Sequence, residues 1–325
     1  MARPRSATVN SIHGTTMKTT DTLGIRRLAL SLAPVLCGSV ACISSEYAAF
    51  DTPEDAMHAV AELASISNPV RAQAVFGEGG VALLKSGNAA ADRADAQRVL
   101  HAIREKVVFE DRDPNTKVAL LGKNGWPFPI PLVSDSHGWH FDVNAGRAEL
   151  EIRRIGRNEL MTLAVLHEYV YAQYEYRSTG HDGRQPAYAG RLISSDGAHD
   201  GLFWPAAQGE EASPLGPSIA AAAQEGDARN EGKSAAFHGY YFRILPAQGE
   251  HAPGGAKNYV DEQGLMTGGC ALLAWPAKYG ESGVMTFQIS AHGIAFQKDL
   301  GASTEASASS ITEFDPDDTW TPTSD

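Results

Sequence analysis

The sequence predicts an α+β fold, and three observations carry the prediction. A strongly amphipathic segment spans 147–177, far longer than any other periodic run. From Phe237 onward the chain breaks into short apolar segments, each bounded by Gly or Pro, the pattern of an antiparallel meander. Between 50 and 145, helical periodicity comes first and strand-like alternation follows. With 32 glycines and 17 prolines in 325 residues, many turns and short strands are expected rather than a helical bundle. The expected organisation is a leader over 1–41, an N-terminal α+β domain over 42–146, a C-terminal α+β domain over 147–322 and a tail at 323–325.

Thr52-Pro53-Glu54-Asp55 reads as a helix start. Thr52 can cap free amides, Pro53 suits the first turn, and the two acids oppose the helix dipole. Ala56, Val60 and Leu63 then recur at helical spacing. A second helix is predicted over 90–107, where Ala94, Val99, Ile103 and Val107 share a face. Strands follow at 117–122, 126–133 and 138–142. Pro127, Pro129 and Pro131 remove alternate backbone donors, so the middle strand must lie at an edge or bulge.

In the segment 147–177, Leu160, Leu163, His167, Val170, Tyr171 and Tyr174 form an apolar and aromatic stripe that is expected to be core. An irregular stretch over 178–234 comes next, rich in Gly, Ser, Ala and Pro, with a short helix expected at 218–224. Strands are predicted at 238–246, 265–275, 283–290 and 293–299, and the chain closes on an acidic tail at 315–318.

Two fold-level likenesses attach to this order. The helix-then-strands arrangement ending in Gly138-Trp139-His140-Phe141-Asp142 resembles the cone-shaped α+β folds of the nuclear-transport-factor-2 type. One long helix, an irregular crossing and a meander resemble the periplasmic part of type II secretion pseudopilins. Pseudopilins retain their leader helix, whereas the apolar run here contains Pro34 and ends at a cleavage signal.

That run, from Leu28 to Ala41, follows Arg26-Arg27 and has the length of a signal-peptide core. It is too short to span a bilayer, which takes roughly 20 apolar residues. Ser39-Val40-Ala41 supplies the small residues a signal peptidase requires, so export to the periplasm is expected, with no transmembrane helix in the mature protein. Cleavage after Ala41 leaves Cys42 first, as at a bacterial lipoprotein site, although Ser39 stands where such sites carry Leu. Both a lipid-anchored and a free form follow from these residues.

Losing residues 1–42 removes five of the 27 basic and one of the 39 acidic residues, leaving 22 against 38 and a net charge of −16. Such a surface repels nucleic acid and anionic lipid. Cys270 remains as the sole interior thiol, which excludes a disulfide framework and a cysteine zinc site. Its setting, Gly268-Gly269-Cys270-Ala271-Leu272, predicts a packed core residue.

Several strings are specific enough to name a family. They include Trp126-Pro-Phe-Pro-Ile-Pro-Leu, Arg153-Arg-Ile-Gly-Arg-Asn-Glu-Leu, Asp200-Gly-Leu-Phe-Trp-Pro and Ser213-Pro-Leu-Gly-Pro. Further along come His238-Gly-Tyr-Tyr-Phe-Arg-Ile-Leu, the run from Gly249 through Pro253-Gly-Gly-Ala, and Phe296-Gln-Lys-Asp-Leu-Gly. Together these resemble the bacterial exported family catalogued as domain of unknown function 2950. The resemblance covers about 50–322 and implies one recurring unit there. It carries over no catalytic residue.

Among the residues themselves, His181-Asp182-Gly and His199-Asp200-Gly are similar tripeptides within the irregular stretch. Two imidazoles and two carboxylates there could ligate zinc or another divalent ion if the loop folds back. Asp-Gly turns at the surface explain the same residues. The oxygen-rich stretches 178–183 and 194–201 lack the alternating ligands of an EF-hand. Gly280-Glu-Ser282-Gly misses the nucleophile-elbow pattern. The candidate binding site is His238-Gly-Tyr240-Tyr-Phe-Arg243, with Trp204 and Trp275, as an aromatic cleft for sugar or peptide. A two-sided buried sheet is the competing reading. No cofactor is called for.

These features favour an exported envelope protein acting as a non-enzymatic binding or assembly module toward an envelope protein or small ligand. A periplasmic metal-dependent or serine hydrolase acting on an envelope component is the alternative. A small-ligand carrier with a pocket in the N-terminal half is a third reading.

Overall fold

A computed structural model describes residues 48–66, 69–77, 79–83, 85, 89–180, 185–206, 209, 211–216 and 236–323. It is an α+β protein with two hydrophobic cores joined by one long helix.

The N-terminal half opens with α1 (Pro53–Ile66), α2 (Pro69–Phe76), α3 (Gly80–Leu83) and α4 (Ala89–Glu105). The Thr52 hydroxyl accepts the Asp55 N–H at 3.1 Å and donates to its carboxylate at 2.6 Å, so the predicted cap starts α1. The helices pack on an antiparallel sheet of β1 (Val107–Asp113), β2 (Thr116–Leu121), β3 (Trp126–Pro127), β4 (Leu132–Asp135) and β5 (Gly138–Phe141), with β1, β2, β4 and β5 adjacent in that order. The proline-rich segment splits as its missing donors require. β3 pairs only with β2, and β4 resumes after Pro131. Met57, Phe76, Leu121, Ile130, Leu132 and Phe141 fill the interior between helices and sheet. β1 lies beyond the expected strands. Its pairing with β2 is closed by Asp113, whose carboxylate accepts the Asn115 N–H at 2.8 Å.

Helix α5 (Val143–Thr179) runs for 37 residues and serves both cores. The Asp142 carboxylate accepts the N–H groups of Asn144 and Ala145 at 3.1 and 3.0 Å, closing its first turn. There Gly146 packs against Ile130, where a Cβ would come within 2.8 Å of a side-chain carbon. About two turns further, Arg153 donates to the Pro127 carbonyl at 2.9 Å. Beyond that point the helix lies on the C-terminal sheet.

Its buried stripe is Thr162, Val165, Leu166, Tyr169, Ala172, Gln173 and Tyr176, with Val170 beside it. This corrects the phase expected from the sequence, because Leu160, Tyr171 and Tyr174 are exposed. Two polar residues take their place inside by satisfying their hydrogen bonds. The Thr162 hydroxyl donates to the Asn158 carbonyl at 2.8 Å. Gln173 behaves like a strand partner, donating to the Ala189 carbonyl at 2.9 Å and accepting its N–H at 2.8 Å.

The C-terminal sheet is the predicted meander. β6 (Tyr240–Leu245), β9 (Ala271–Pro276), β10 (Met285–Ser290), β11 (Ala295–Asp299) and β12 (Thr321–Pro322) are antiparallel neighbours in that order. A small ladder of β7 (Ala247–Gln248) and β8 (Lys257–Asn258) lies between β6 and β9 in the chain. A turn of 3₁₀ helix at Gly301–Ser303 leads into α6 (Thr304–Ser310). Arg243 binds the carbonyls of Ala308, at 2.6 Å, and Ile311, holding the C-terminal end of α6 to the sheet. The acidic segment 315–318 is no loose tail, since Phe314 and Trp320 on either side of it are buried. The short helix expected at 218–224 lies outside the described residues.

Replacing Asp142 with Ala should cost about 1 kcal/mol, the usual loss for a helix cap. Urea denaturation should show this as a lower midpoint with an unchanged slope.

Candidate functional site

The five residues of the expected aromatic cleft are dispersed. Tyr240 is fully buried beneath α5, and its hydroxyl donates to the Met285 carbonyl at 2.9 Å. Burial and the nearby Glu159 carboxylate raise its pKa above the ordinary tyrosine value. Arg243 and Trp275 meet on the α6 side of the sheet, guanidinium over indole at 5.3 Å, and Trp275 is buried with its N–H toward Glu305 at 3.4 Å. Trp204 stacks on His199 at 4.3 Å and donates to the Glu211 carbonyl at 2.9 Å. His238 is exposed at the turn into β6 with φ +46°, its ring against Phe237 at 4.1 Å. Of the five, only Arg243 and Trp275 come together, and they do so as packing.

For the proposed metal ligands, His181 and Asp182 lie outside the described residues. The Asp200 carboxylate is occupied by Ser195, accepting its N–H at 2.7 Å and its hydroxyl at 2.9 Å. Burial alone would raise its pKa, but these bonds and the charge of Arg191 outweigh that and hold it below the ordinary value. Among the described residues no three His, Cys, Asp or Glu side chains are grouped to hold a metal ion. Cys270 is fully buried, and burial pushes its thiol up to about 12, so it is protonated near neutrality.

The feature that gathers chemistry is a groove of about 430 Å³ on the α6 side of the sheet. Strands β10 and β11 supply Gln288 and Lys298, α6 supplies Ser307 and Ser310, and the closing segment supplies Asp315 and Trp320. Register explains the strand residues: Gln288 pairs with Phe296 and Thr286 with Lys298, so alternation sets Thr286, Gln288, Phe296 and Lys298 on one face. Lys298 donates to the Thr319 hydroxyl and lies 5.7 Å from the Trp320 ring, which fixes its ammonium at one end of the groove.

Asp315 joins this groove to His251, which stands outside every site expected from the sequence. One carboxylate oxygen accepts the His251 backbone N–H at 2.8 Å, and the other lies 2.9 Å from His251 Nδ1. The pairing selects the Nδ1–H tautomer on a ring that stays largely exposed. Three constraints hold the arrangement. Asp315 N–H donates to the buried Gln288 at 3.3 Å, while the Gly249 and Phe314 N–H groups donate to the carbonyls of Phe314 and Ala247 at 3.0 and 2.9 Å. The third is the absence of a side chain at Gly249, because a Cβ there would stand 2.3 Å from the carboxylate carbon of Asp315. Hydrogen bonding to Asp315 and its charge raise the His251 pKa, with Asp317 and Asp318 adding to the effect. Two of the strings quoted above, 249–256 and 296–301, meet at this site.

An α+β protein is thus defined, with a polar groove flanked by a carboxylate-oriented imidazole. The chain belongs to the family described as Protein of unknown function (DUF2950), whose model matches residues 47–323. No curated protein and no solved structure matches it. No helix among the described residues is long and apolar enough to cross a membrane.

His251 should titrate above 6.5 in the folded protein, and Asp315→Asn should bring it back toward that value, as read from its imidazole NMR signals. The linkage has a definite sign. A raised folded pKa makes this pair's contribution to stability complete below the unfolded value near 6.5, and that contribution is lost as pH rises through the folded pKa.

Proposed function

We propose that this protein is an exported envelope protein that works by binding, and that the groove between the C-terminal sheet, α6 and the closing segment is its contact surface. The supporting observation is the groove's composition: an ammonium, an indole, two serine hydroxyls and a carboxylate converge on one concave surface. Groups of both charge signs suit a polar partner, either a protein segment or a small ligand. The leader sequence supports export, and the net charge of −16 without it argues against nucleic acid as the partner.

The enzymatic alternative has one observation in its favour, the His251–Asp315 pair. An imidazole held by a carboxylate at Nδ1 is arranged to accept a proton at Nε2, as a general base in hydrolysis of an envelope component requires.

Native mass spectrometry of protein recovered from the periplasm distinguishes the two readings. Binding predicts a co-purified ligand whose occupancy falls at least about tenfold in Lys298→Ala/Trp320→Ala, roughly 1.4 kcal/mol. Equal occupancy in both proteins removes the groove from the reading. Hydrolysis of envelope material that is lost in His251→Ala with the fold intact replaces binding by catalysis.

Anchoring through Cys42 is a separate part of the proposal. Cys42→Ser should move the protein from the membrane to the soluble periplasmic fraction, and a wild type already soluble there sinks it.

A further inference from the structure

One face of α5 is open beyond the N-terminal sheet. Ile152, Leu160 and Tyr171 expose 65, 70 and 69% of their surface, and Tyr174 exposes 48%. At about 100° per residue, these four fall with Gly156, Leu163 and His167 within roughly 100° of arc, beside the buried stripe. A Cβ placed on Gly156 would meet nothing within 4 Å, so approach to the helix backbone is unobstructed there. From Ile152 to Tyr174 the stripe is about 33 Å long at 1.5 Å per residue. An exposed stripe dominated by apolar and aromatic side chains is the mark of a contact surface.

The charges on its open flank select the partner. Arg157 and Glu168 are both exposed and lie on the same side of the stripe, within about 20° of each other around the helix. They stand almost symmetrically about Leu163, the midpoint between Ile152 and Tyr174. When two such helices cross antiparallel at Leu163, Arg157 of one chain lies within about one residue's rise, 1.5 Å along the axis, of Glu168 of the partner subunit. The two-fold relation repeats this pair at the other end. A parallel two-fold arrangement would instead carry the two flanks to opposite sides of the contact and form no Arg157–Glu168 pair.

We propose that two copies of this chain associate through the exposed stripe of α5, antiparallel, with Leu160, Tyr171 and Tyr174 in the contact and reciprocal Arg157–Glu168 pairs at its flank. A single helix pair buries less than the roughly 800 Å² per partner of a stable interface. The dimer is therefore reversible and concentration-dependent. The contact does not depend on the groove, so either proposal stands if the other fails.

Sedimentation velocity of the mature protein across a micromolar concentration series provides the test. A monomer–dimer equilibrium is expected, abolished by Leu160→Glu/Tyr171→Glu. These side chains are exposed, and an unchanged circular dichroism melt verifies the fold. Arg157→Glu and Glu168→Arg should each weaken the dimer about tenfold, and combining them should restore it. A wild type that is monomeric throughout overturns the proposal, whether or not its stripe is accessible to surface labelling. A dimer indifferent to these substitutions, or a charge swap that fails to restore association, overturns it as well.

Discussion

The position of α5 along the C-terminal sheet is fixed at one point, and much else follows from it. Glu159 Oε1 accepts the N–H groups of Val284 and Met285 at 2.9 and 3.0 Å, where β10 begins, and Asn158 donates to the Ser282 carbonyl at 2.8 Å. Hydrogen bonds to a charged acceptor are worth about 1.5–3 kcal/mol each, so sliding the helix by a turn would forfeit more than any one apolar contact returns. The same junction admits no side chain at Gly283, where a Cβ would stand 2.1 Å from the Tyr240 hydroxyl oxygen. With the register held, Leu166 and Tyr169 must turn inward, Tyr169 reaching the Ala271 carbonyl of β9 at 3.1 Å. Leu160 and Tyr171 must then face away, whatever their hydropathy.

This anchoring explains what the sequence made legible in the fold and what it concealed. Gly and Pro punctuate the C-terminal strands because each hairpin must turn, so four of the five strands of the main sheet could be placed from punctuation alone. The Thr52 cap and the edge position of Pro127 were equally readable, since both follow from local backbone chemistry. β1 was not, because after Val107 and Phe109 its residues are Glu110, Asp111, Arg112 and Asp113, and only pairing with β2 makes them a strand. Likewise α6, with the sequence TEASASS, has no apolar period. It is held in place by the buried Thr304 and Ala308 and by Arg243, which takes the carbonyls at its end.

The site was less legible than the fold for a related reason. Tyr240, Trp275 and Arg243 attract notice as residue types suited to ligand binding, yet strands covered on both faces bury the first two and hold Arg243 half-buried for packing. His251 and Asp315 are 64 positions apart, and nothing in the family string around His251 points to Asp315. Asp315 looked like part of a solvated acidic tail. What changes its meaning is that Phe314 and Trp320 bury themselves on either side and draw the carboxylate inward. Only the glycine at 249 hinted at a close approach, and a glycine alone does not say what approaches.

The groove's construction also orders events in time. Its walls come from β10 and β11, from α6 and from the segment around Asp315 and Trp320, while the loop carrying His251 is held by Phe314 through bonds to Ala247 and Gly249. A chain growing from its N-terminus completes α5 and β6 long before residue 314 is made. Until then, His251 has no carboxylate and the sheet face beneath the groove has no rim. The surface is therefore assembled last, and an incomplete chain cannot display it.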